Sequence, residues 1–282
     1  MNTNLSPIIK PAALLSLYQN EDLILIDASN GKDAKENYVH QHLDGALYVN
    51  LNTQLSDIKP DVSIGGRHPL PSFEKFSATL GSIGITPKNH IVIYDDKNGS
   101  NAAARFWWML KSIGHKKVQV LDGGYEAVVK IGFPTTSHIR IPMKTEPYKI
   151  EKWTLPLVDI TEIDTIFQDD NFIIIDVREK ERFDGEKEPI DLVAGHIPNA
   201  INIPFSTNLD SDGFFLTPEE LKNNYSKVFG TKKSENIIIH CGSGVTACHT
   251  LLALDYAGIE VPKLYVGSWS EWSRNNRPIE TK

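Results

Sequence analysis

The sequence contains only two cysteines, Cys241 and Cys248, among 282 residues. Two cysteines cannot form the disulfide framework that small secreted domains need, and free thiols persist in reducing compartments. The opening residues also lack a basic leader followed by an unbroken apolar stretch, so we expect no secretory signal. From these absences we predict a cytoplasmic protein whose thiols are available for chemistry.

Long hydrophobic runs and an excess of positive charge are also missing. No segment approaches the roughly 20 apolar residues that a membrane-spanning helix needs, so we expect no membrane partner. The chain has 29 basic and 36 acidic residues, which gives a formal net charge of -7 at pH 7. This balance argues against nucleic acid as a main partner.

Short apolar runs that end at turn residues recur along the chain and alternate with helical stretches. Runs such as LILID at 23–27 and NIIIHCG at 236–242 lack polar alternation, which is typical of parallel strands buried on both faces. Segments with helix start and stop signals lie between them, for example SFEKFSATLGSIG at 72–84. The alternation predicts an α/β fold with mostly parallel sheets flanked by helices.

The two halves of the chain repeat one pattern. Asp95 ends an apolar run in the first half, and Cys241 ends the corresponding run in the second half. A stretch rich in Pro, Thr and Lys, without a clear period, separates the halves. We therefore predict a first domain at 1–140, a linker at 141–156 and a second domain at 157–282.

Cys241 stands where an apolar run ends and the stretch GSGV begins, directly before a predicted helix. Open α/β folds bind ligands at the carboxyl ends of their strands. Gly242 and Gly244 allow backbone N–H groups to turn inward. We predict that these two glycines, with Val245 and Thr246, surround the sulfur and bind substrate. Such a ring and the helix N-terminus favour an anion, so the pKa of Cys241 should lie below about 8.5.

Other interpretations of the two cysteines lead to other functions. A free cysteine is often a small buried hydrophobe, which is how we interpret Cys248, because it lies inside the helical pattern. A cysteine phosphatase needs an arginine on its loop, commonly six residues after the cysteine, and that position is Ala247. We predict no metal site, because no CxxC motif is present, and no organic cofactor.

Together these motifs resemble those of the tandem-domain rhodanese family of sulfurtransferases. The C-terminal half carries FIIIDVRE, AGHIPNAINIPF, CGSGVTAC and YVGSWSEW, and the N-terminal half carries HLDGALYVN, GGRHPLPS, RFWWML and LDGGY. The resemblance covers nearly the whole chain. It implies two rhodanese-like domains, of which the C-terminal one is catalytic and the N-terminal one has lost its cysteine. Asp95 agrees with that loss.

The residues after Cys241 distinguish two subfamilies of this family. Members that use thiosulfate usually place Arg and Lys there, which suits a doubly charged donor, whereas Gly242 and Ser243 are neutral. The resemblance therefore favours the 3-mercaptopyruvate subfamily. That donor leaves as an enolate of pyruvate, and a hydroxyl at Ser243 can take part in the proton transfer.

The resemblance also implies functional residues outside the loop. It links Ser243 to a His and an Asp of the N-terminal domain, for which the matching residues are His42 and Asp33, in an Asp–His–Ser relay. The alternative is a structural role for His42, like the one expected for its counterpart His196, with Asp33 an ordinary surface acid or helix cap. It assigns the donor's carboxylate to Arg182. An ordinary ion pair between Arg182 and a nearby glutamate, such as Glu179, is the alternative.

The donor-binding residues that the resemblance implies are incomplete. Mercaptopyruvate enzymes usually place a second arginine in the segment after Arg182, and Ile190 stands at that position here. The preferred donor is therefore left open. Arg67, in GGRHPLP, is predicted to be structural, with a place near the cleft between the two domains as the alternative.

We hypothesise a sulfurtransferase in which the Cys241 thiolate takes sulfane sulfur from 3-mercaptopyruvate as a persulfide and releases pyruvate. An acceptor thiol or cyanide then removes the sulfur, and a thioredoxin-like protein is an acceptor typical of the family. Two alternatives stay open. The donor is thiosulfate, or the chain is a persulfide carrier with little turnover of its own. The sequence predicts neither the physiological acceptor nor the oligomeric state.

Overall fold

The computed structural model of the protein describes residues 5–282, which form two compact units built from discontinuous segments. The N-terminal unit contains the described residues up to Ser56, Pro71–Thr154 and Ser211–Phe215. The C-terminal unit contains Asp57–Leu70, Leu155–Asp210 and Leu216–Lys282. The segment Asp57–Leu70 thus belongs to the C-terminal unit although it lies in the first half of the sequence.

The N-terminal unit has seven strands and six helices among its described residues. In chain order they are β1 (Ile8–Ile9), α1 (Pro11–Leu17), β2 (Leu23–Asp27), α2 (Ala34–His40), β3 (His42–Leu43), β4 (Leu47–Tyr48), α3 (Leu51–Gln54), α4 (Phe73–Ser82), β5 (His90–Tyr94), α5 (Ala102–Ser112), β6 (Val118–Leu121), α6 (Gly124–Lys130) and β7 (Thr135–Thr136).

A five-stranded parallel sheet forms the centre of this unit, with strand order β1-β6-β5-β2-β4. Its central strands are apolar on both faces because helices cover both sides, and Leu25, Val92 and Tyr94 lie in one buried cluster. The short strand β3 pairs antiparallel with β7 in a separate two-stranded sheet.

The C-terminal unit has five strands and five α-helices. In chain order they are β8 (Leu157–Val158), α7 (Ile160–Ile166), β9 (Ile173–Asp176), α8 (Lys180–Phe183), β10 (Ile201–Asn202), a 3₁₀ helix (Phe205–Asn208), α9 (Pro218–Phe229), a second 3₁₀ helix (Ser234–Asn236), β11 (Ile237–His240), α10 (Ala247–Tyr256), β12 (Lys263–Tyr265) and α11 (Ser268–Trp272).

The second sheet repeats the topology of the first. Its strand order is β10-β9-β11-β12-β8, and all of its pairings are parallel. Read in the matching direction, the first sheet is β4-β2-β5-β6-β1, so β11 occupies the central position that β5 has in the N-terminal unit. The prediction of two α/β units with mostly parallel sheets flanked by helices is confirmed.

Local signals in the sequence fix the helices that the pattern predicted. The Ser72 side chain accepts a hydrogen bond from the Lys75 N–H at the start of α4. Thr217 and Glu220 form a capping box at the start of α9, because each side chain satisfies a backbone N–H that the first turn leaves unpaired. In residues 5–282 no helix is both long and apolar enough to cross a membrane.

The predicted linker region, 141–156, contains no helix or strand and packs along the N-terminal unit. The Tyr148 hydroxyl lies 3.1 Å from His115 Nδ1, and the Ser77 hydroxyl donates to the Tyr148 carbonyl. Trp153 stacks at an angle against Phe76, with ring centroids 5.6 Å apart. The domain boundaries inferred from the sequence stay a prediction, and the two compact units follow a different path along the chain.

Candidate active site

Cys241 lies at the carboxyl end of the central strand β11, in the six-residue loop before α10. Its N–H donates to Ser268 Oγ at 3.2 Å, and its carbonyl accepts from the Trp269 N–H at 3.0 Å. These bonds attach the loop to the start of α11. Cys241 is 3% exposed, and it lies outside the apolar cluster of this unit. Its surroundings are polar, as the following contacts describe.

The glycines of the loop are required by close approaches. Gly244 has φ +70°, and a Cβ on it would lie 2.5 Å from the Val266 carbonyl oxygen. The Gly242 carbonyl accepts from the Ser270 N–H at 2.9 Å. Val245 is buried, and Thr246 is the residue that precedes α10. The four residues predicted to surround the sulfur therefore form one tight turn between strand and helix.

The hydrogen bonds described for Cys241 use its backbone N–H and carbonyl. A persulfide on this residue would place a second sulfur about 2 Å beyond Sγ. The role of the loop N–H groups is therefore a prediction for the persulfide.

The imidazole beside Ser243 is that of His68. Ser243 Oγ lies 2.8 Å from His68 Nδ1, and Ser243 is buried. The segment that carries His68 is fastened to the C-terminal unit by backbone contacts: the Gly65 N–H donates to Glu271 Oε1 at 2.7 Å, and the Arg67 N–H donates to Ser270 Oγ at 3.0 Å. This geometry gives Ser243 a proton donor or acceptor at hydrogen-bond distance.

The resemblance implied a relay of Ser243, His42 and Asp33, whereas the histidine described at Ser243 is His68. His42 is completely buried in the N-terminal unit, where its ring stacks on Tyr38 and its Nδ1 lies 2.6 Å from the Tyr38 carbonyl. Asp33 is an exposed residue before α2. The carbonyl already occupies the ring nitrogen that a relay would offer to Asp33.

The repeat explains the environment of His42. In the C-terminal unit, His196 stacks on Phe183 with ring centroids 3.7 Å apart, and its Nδ1 lies 2.8 Å from the Phe183 carbonyl. His42 makes the same pair of contacts with Tyr38. The motif that matched in the two halves therefore encodes a structural contact in each unit.

Arg178 forms the buried base of the site. Its guanidinium contacts both oxygens of Asp176, lies 3.3 Å from Glu188 Oε2 and stands 4.7 Å from the Trp269 ring centroid. Burial lowers the pKa of Arg178, but interactions with Asp176, Glu188 and Cys241 raise it by a larger amount. The pKa of Arg178 therefore lies above its usual value. The arginine thus stays charged.

Arg182, the predicted carboxylate-binding residue, lies beside the loop with its guanidinium held by two acids. It contacts Glu188 at 2.9 Å and Asp191 at 3.3 Å. Burial raises the pKa of Glu188, but Arg182 and the N–H groups of Asp191 and Ile190 lower it by a larger amount. The pKa of Glu188 therefore lies below its usual range. The Ile190 side chain is 54% exposed, so this position supplies only a backbone N–H to the cluster.

Asp191 is shared by three guanidinium groups. Arg67 contacts both of its oxygens, at 3.1 and 3.3 Å, and Arg274 contacts Oδ1 at 3.0 Å. The third is Arg182. The Asp191 side chain is completely buried, which a carboxylate tolerates only when it is paired. Positive charge therefore collects on the side of the loop that Gly242 faces.

Sequence reasoning favoured a structural role for Arg67 and missed His68 and Asp191. The motif GGRHPLPS contained the signal for Arg67 and His68, because paired glycines before a basic residue and a histidine mark a tight turn that presents side chains. Gly66 adopts φ +77°, and a Cβ there would lie 2.3 Å from the Gly267 carbonyl oxygen. The residues described here, 5–282, contain no group of three His, Cys, Asp or Glu side chains that could hold a metal ion.

Comparisons with known proteins place this geometry among relatives. The family model described as Rhodanese-like domain matches residues 10–131 and 159–275. A protein of Pseudomonas aeruginosa named probable 3-mercaptopyruvate sulfurtransferase is 38% identical over 247 residues, which are 86% of each chain. The thiosulfate sulfurtransferase of Mus musculus is 35% identical over 274 residues, covering 92% of this chain and 88% of the relative.

A solved structure is similar over nearly the whole chain. The 3-mercaptopyruvate sulfurtransferase from Leishmania major superposes with a TM-score of 0.82 at 28% sequence identity. The match covers 96% of this chain and 75% of that protein. Both units of the present chain are therefore included in the likeness.

Proposed function

The chain belongs to the rhodanese family and is a sulfurtransferase, and from this premise we propose that it takes sulfur from 3-mercaptopyruvate through a persulfide on Cys241. The predicted family, fold class and enzyme class are confirmed by the same comparisons. One observation supports the choice of donor most directly. Ser243 stands on the cysteine loop with an imidazole nitrogen 2.8 Å from its hydroxyl.

The first step is attack by the Cys241 thiolate on the donor sulfur. An S–S bond forms, the C–S bond of the donor breaks, and its electron pair stays on carbon as the enolate of pyruvate. The proton on the donor sulfur stays with the new persulfide, or leaves it for a base. Arg178, which interacts electrostatically with Cys241, stabilises the thiolate that must attack.

The second event is proton delivery to the enolate carbon. Ser243 and His68 form a pair that can carry this proton, because the hydroxyl is close to the cysteine and the imidazole can be replenished with protons from outside. We assign to His68 the role that the sequence predicted for His42. Asp33 has no place in this scheme.

The donor's carboxylate is bound by Arg182. A guanidinium offers two parallel N–H donors to a carboxylate, and Arg182 lies beside the loop in a fixed position set by Glu188 and Asp191. The N–H groups of Gly242, Gly244, Val245 and Thr246 are assigned to the outer sulfur of the persulfide. A second substrate then completes the cycle by removing that sulfur.

The acceptor is a thiol or cyanide. An acceptor thiolate attacks the outer sulfur, a new S–S bond forms, and the Cys241 thiolate leaves, which regenerates the enzyme and gives ping-pong kinetics. We propose a dithiol protein of the thioredoxin type as one acceptor and the cytoplasm as the location, since two free cysteines suit a reducing compartment.

The test is pyruvate release from 3-mercaptopyruvate with a small thiol as acceptor. The wild type should turn over repeatedly, and Cys241→Ser should lose at least about a thousandfold in rate because the nucleophile is gone. His68→Gln should lower kcat while leaving persulfide formation detectable by mass spectrometry. Release of pyruvate by Cys241→Ser at the wild-type rate would exclude the proposal.

Thiosulfate is the second candidate donor. The guanidinium groups of Arg67 and Arg182 near the loop supply the positive charge that its residues lack, and one relative is named thiosulfate sulfurtransferase. Steady-state kinetics with both donors decide between them. We expect the larger kcat/KM with 3-mercaptopyruvate, and a larger value with thiosulfate would reverse the assignment.

A further inference from the structure

The N-terminal unit contains a cavity at the carboxyl ends of β2 and β5. Its volume is about 190 Å³, and its lining includes Asp27 at the end of β2, Asp96 after β5 and Tyr125 at the start of α6. Open α/β folds bind ligands at this edge of the sheet. The volume is several times the roughly 30 Å³ of one water molecule and smaller than the roughly 300–1,000 Å³ of pockets for drug-sized ligands. The cavity therefore fits a small molecule.

The C-terminal unit shows which group the equivalent place holds. There the Arg178 guanidinium contacts both oxygens of Asp176. It also donates to the Gly195 carbonyl at 2.6 Å and lies 4.7 Å from the Trp269 ring centroid. A carboxylate, a carbonyl and an aromatic face thus surround one guanidinium, and each of the three is a favourable partner for it.

The N-terminal unit keeps the carboxylate of this arrangement but not the arginine. Asp27 ends β2 as Asp176 ends β9, and in both units the N–H two residues further on donates to the carboxylate. The distances are 2.8 Å from Ser29 and 2.9 Å from Arg178. Ser29 therefore stands at the position of Arg178, and it lines the cavity together with Asp27.

The positions of the aromatic ring and the carbonyl are also kept. Tyr125 is the second residue of α6, as Trp269 is of α11. Gln41 directly precedes the stacked histidine of its unit, as Gly195 precedes that of the other unit. Both Tyr125 and Gln41 line the cavity. The cavity is therefore bounded by the counterparts of all three residues that hold the Arg178 guanidinium.

The charge of the cavity favours a cation. The Asp27 carboxyl is buried, and the partners described for it in residues 5–282 are Ser29, nearby tyrosines and Asp96, none of which is basic. Burial and the negative charge of Asp96 both raise the pKa of Asp27, and a bound cation offsets both effects. Glu126 adds a further carboxylate at the exposed rim. A cation beside Asp27 supplies the pairing that a buried carboxylate requires.

We propose that this cavity binds a small molecule that carries a guanidinium group. The guanidinium pairs with Asp27 and lies against the ring of Tyr125, and a short carbon chain leads from it to the rim between Asp96 and Glu126. All residues that line the cavity belong to the N-terminal unit, so this site is independent of the donor proposed for Cys241.

The test is a titration of the full-length protein with propylguanidine, followed by ligand-observed NMR. Binding should be saturable with a Kd of the order of 1 mM, which suits a ligand of so few atoms. Propylurea has the same shape without the charge and should bind at least about tenfold more weakly. Equal affinity for the two compounds would overturn the proposal, and so would a lack of saturable propylguanidine binding below about 20 mM.

Asp27→Asn keeps the shape of the cavity floor and removes its charge. The affinity for propylguanidine should fall about tenfold or more, because the cation loses a charged hydrogen-bond acceptor. Glu36→Gln is the matched control, since Glu36 is an exposed acid of α2 that does not line the cavity, and its affinity should stay within about twofold of the wild type. Wild-type affinity in a folded Asp27→Asn variant would overturn the proposal.

Ser29→Arg decides if Asp27→Asn does not fold. It gives the N-terminal unit the arginine that stands after β9, so the cavity receives a guanidinium from its own chain. Propylguanidine binding should disappear, and the midpoint of thermal unfolding should rise because Asp27 gains a partner. Propylguanidine binding at wild-type affinity in this variant would again overturn the proposal.

Two competitors test the class of ligand. MgCl₂ should not displace propylguanidine when it is compared with NaCl at the same ionic strength, and displacement would replace the proposed site with a metal site. The peptide Gly-Arg-Gly carries the same group on a polypeptide and should bind at least about tenfold more weakly than propylguanidine, because the cavity is small. Tighter binding of the peptide would overturn the assignment to a small molecule.

Discussion

The central strands β5 and β11 end in equivalent loops that hold different groups. After β5, the Asp95 carboxylate accepts hydrogen bonds from four backbone N–H groups of its loop, those of Lys97, Gly99, Asn101 and Ala103. After β11, the loop begins with Cys241, and the hydrogen bonds described for this residue use its backbone N–H and carbonyl. One loop holds its own carboxylate, and the proposed persulfide would bring the corresponding anion to the other.

The neighbouring strand ends differ in the same sense. Asp27 ends β2 and accepts from the Ser29 N–H at 2.8 Å, and Asp176 ends β9 and accepts from the Arg178 N–H at 2.9 Å. Burial raises the pKa of Asp27. Burial also raises that of Asp176, but Arg178 and His240 outweigh it and leave the pKa lowered. The same backbone turn therefore carries a hydrogen-bonded carboxyl, Asp27, in one unit and an ion pair of Asp176 with Arg178 in the other.

The comparison teaches that the repeat conserves backbone geometry while charge separates the two sites. In the C-terminal unit, arginines surround the cysteine loop, and the carboxylates that pair with them are buried. Because the arginines stay protonated near neutral pH, they keep positive charge close to Cys241. The N-terminal unit has a serine where Arg178 stands.

The largest effect is expected from Arg178→Ser, which gives β9 the residue found after β2. The change leaves the buried carboxylates of Asp176 and Glu188 without this partner, and breaking a buried pair costs about 3–5 kcal/mol in the free energy of unfolding. Urea unfolding at pH 7 measures this loss in the free energy of unfolding. The pair of Lys180 and Asp184 supplies the control, because the Lys180 side chain is 59% exposed and Lys282 also lies 3.7 Å from Asp184, so Lys180→Ser should cost less than about 1 kcal/mol.

The sign of the pH dependence sharpens this prediction. Because the folded-state pKa of Asp176 is lowered, its stabilising contribution is complete above its unfolded pKa near 4 and is lost as the pH falls further. Arg178→Ser should remove that loss at low pH. If the free energy of unfolding of the variant falls at low pH as much as that of the wild type, Arg178 does not set the ionisation of Asp176.

The next effect concerns the backbone of the active loop. In Gly244→Ala the new Cβ meets the Val266 carbonyl oxygen at 2.5 Å, in a residue with φ +70°. We expect a loss of about 2–4 kcal/mol in stability and a large loss of pyruvate release, because the turn must open. Gly258→Ala has φ +72° and no atom within 4 Å, so it isolates the backbone strain, at about 1 kcal/mol. Equal costs for the two variants would contradict the steric explanation.

A smaller effect is expected at Asp95. Burial raises the pKa of Asp95 to about 6, and the four N–H groups only partly offset this. As the pH rises from 4 to 6 the unfolded chain gives up the proton first, so the wild type should lose up to about 3 kcal/mol of stability relative to Asp95→Asn. Urea unfolding of both proteins across this range measures the difference. If the difference in free energy of unfolding between the two proteins does not change with pH, or changes in favour of the wild type, the N–H groups outweigh the effect of burial on the pKa of Asp95.

The sequence predicted those parts of the molecule that local pattern encodes. Buried runs and capping residues gave both sheets and their repeat, and the glycines around Cys241 gave the loop. Arg182 lies beside that loop, because the short helix α8 follows β9 directly, and its role in binding the donor stays a prediction. The motif around His42 was also found, and in the fold His42 stacks on Tyr38.

The remaining features depend on tertiary structure. His68 and Arg67 reach Ser243 and Gly242 because the segment Asp57–Leu70 joins the C-terminal unit, and no local periodicity encodes that path. The stretch that contains Glu188 and Asp191 is acidic and polar in sequence, so it indicates a solvated loop. The side chains of Glu188 and Asp191 are nevertheless buried, because arginines from three separate places in the chain neutralise them.

The smallest effect should come from Cys248→Ala, which sharpens the contrast between the two cysteines. Cys248 is completely buried in α10, and its thiol contacts the Gly244 carbonyl at 3.3 Å. Replacing it with alanine should cost about 1 kcal/mol through lost packing and leave pyruvate release within about twofold. Urea unfolding and the pyruvate assay together measure both quantities. A tenfold loss of turnover at wild-type stability would give the second thiol a chemical role, and Cys241 would no longer account for the reaction alone.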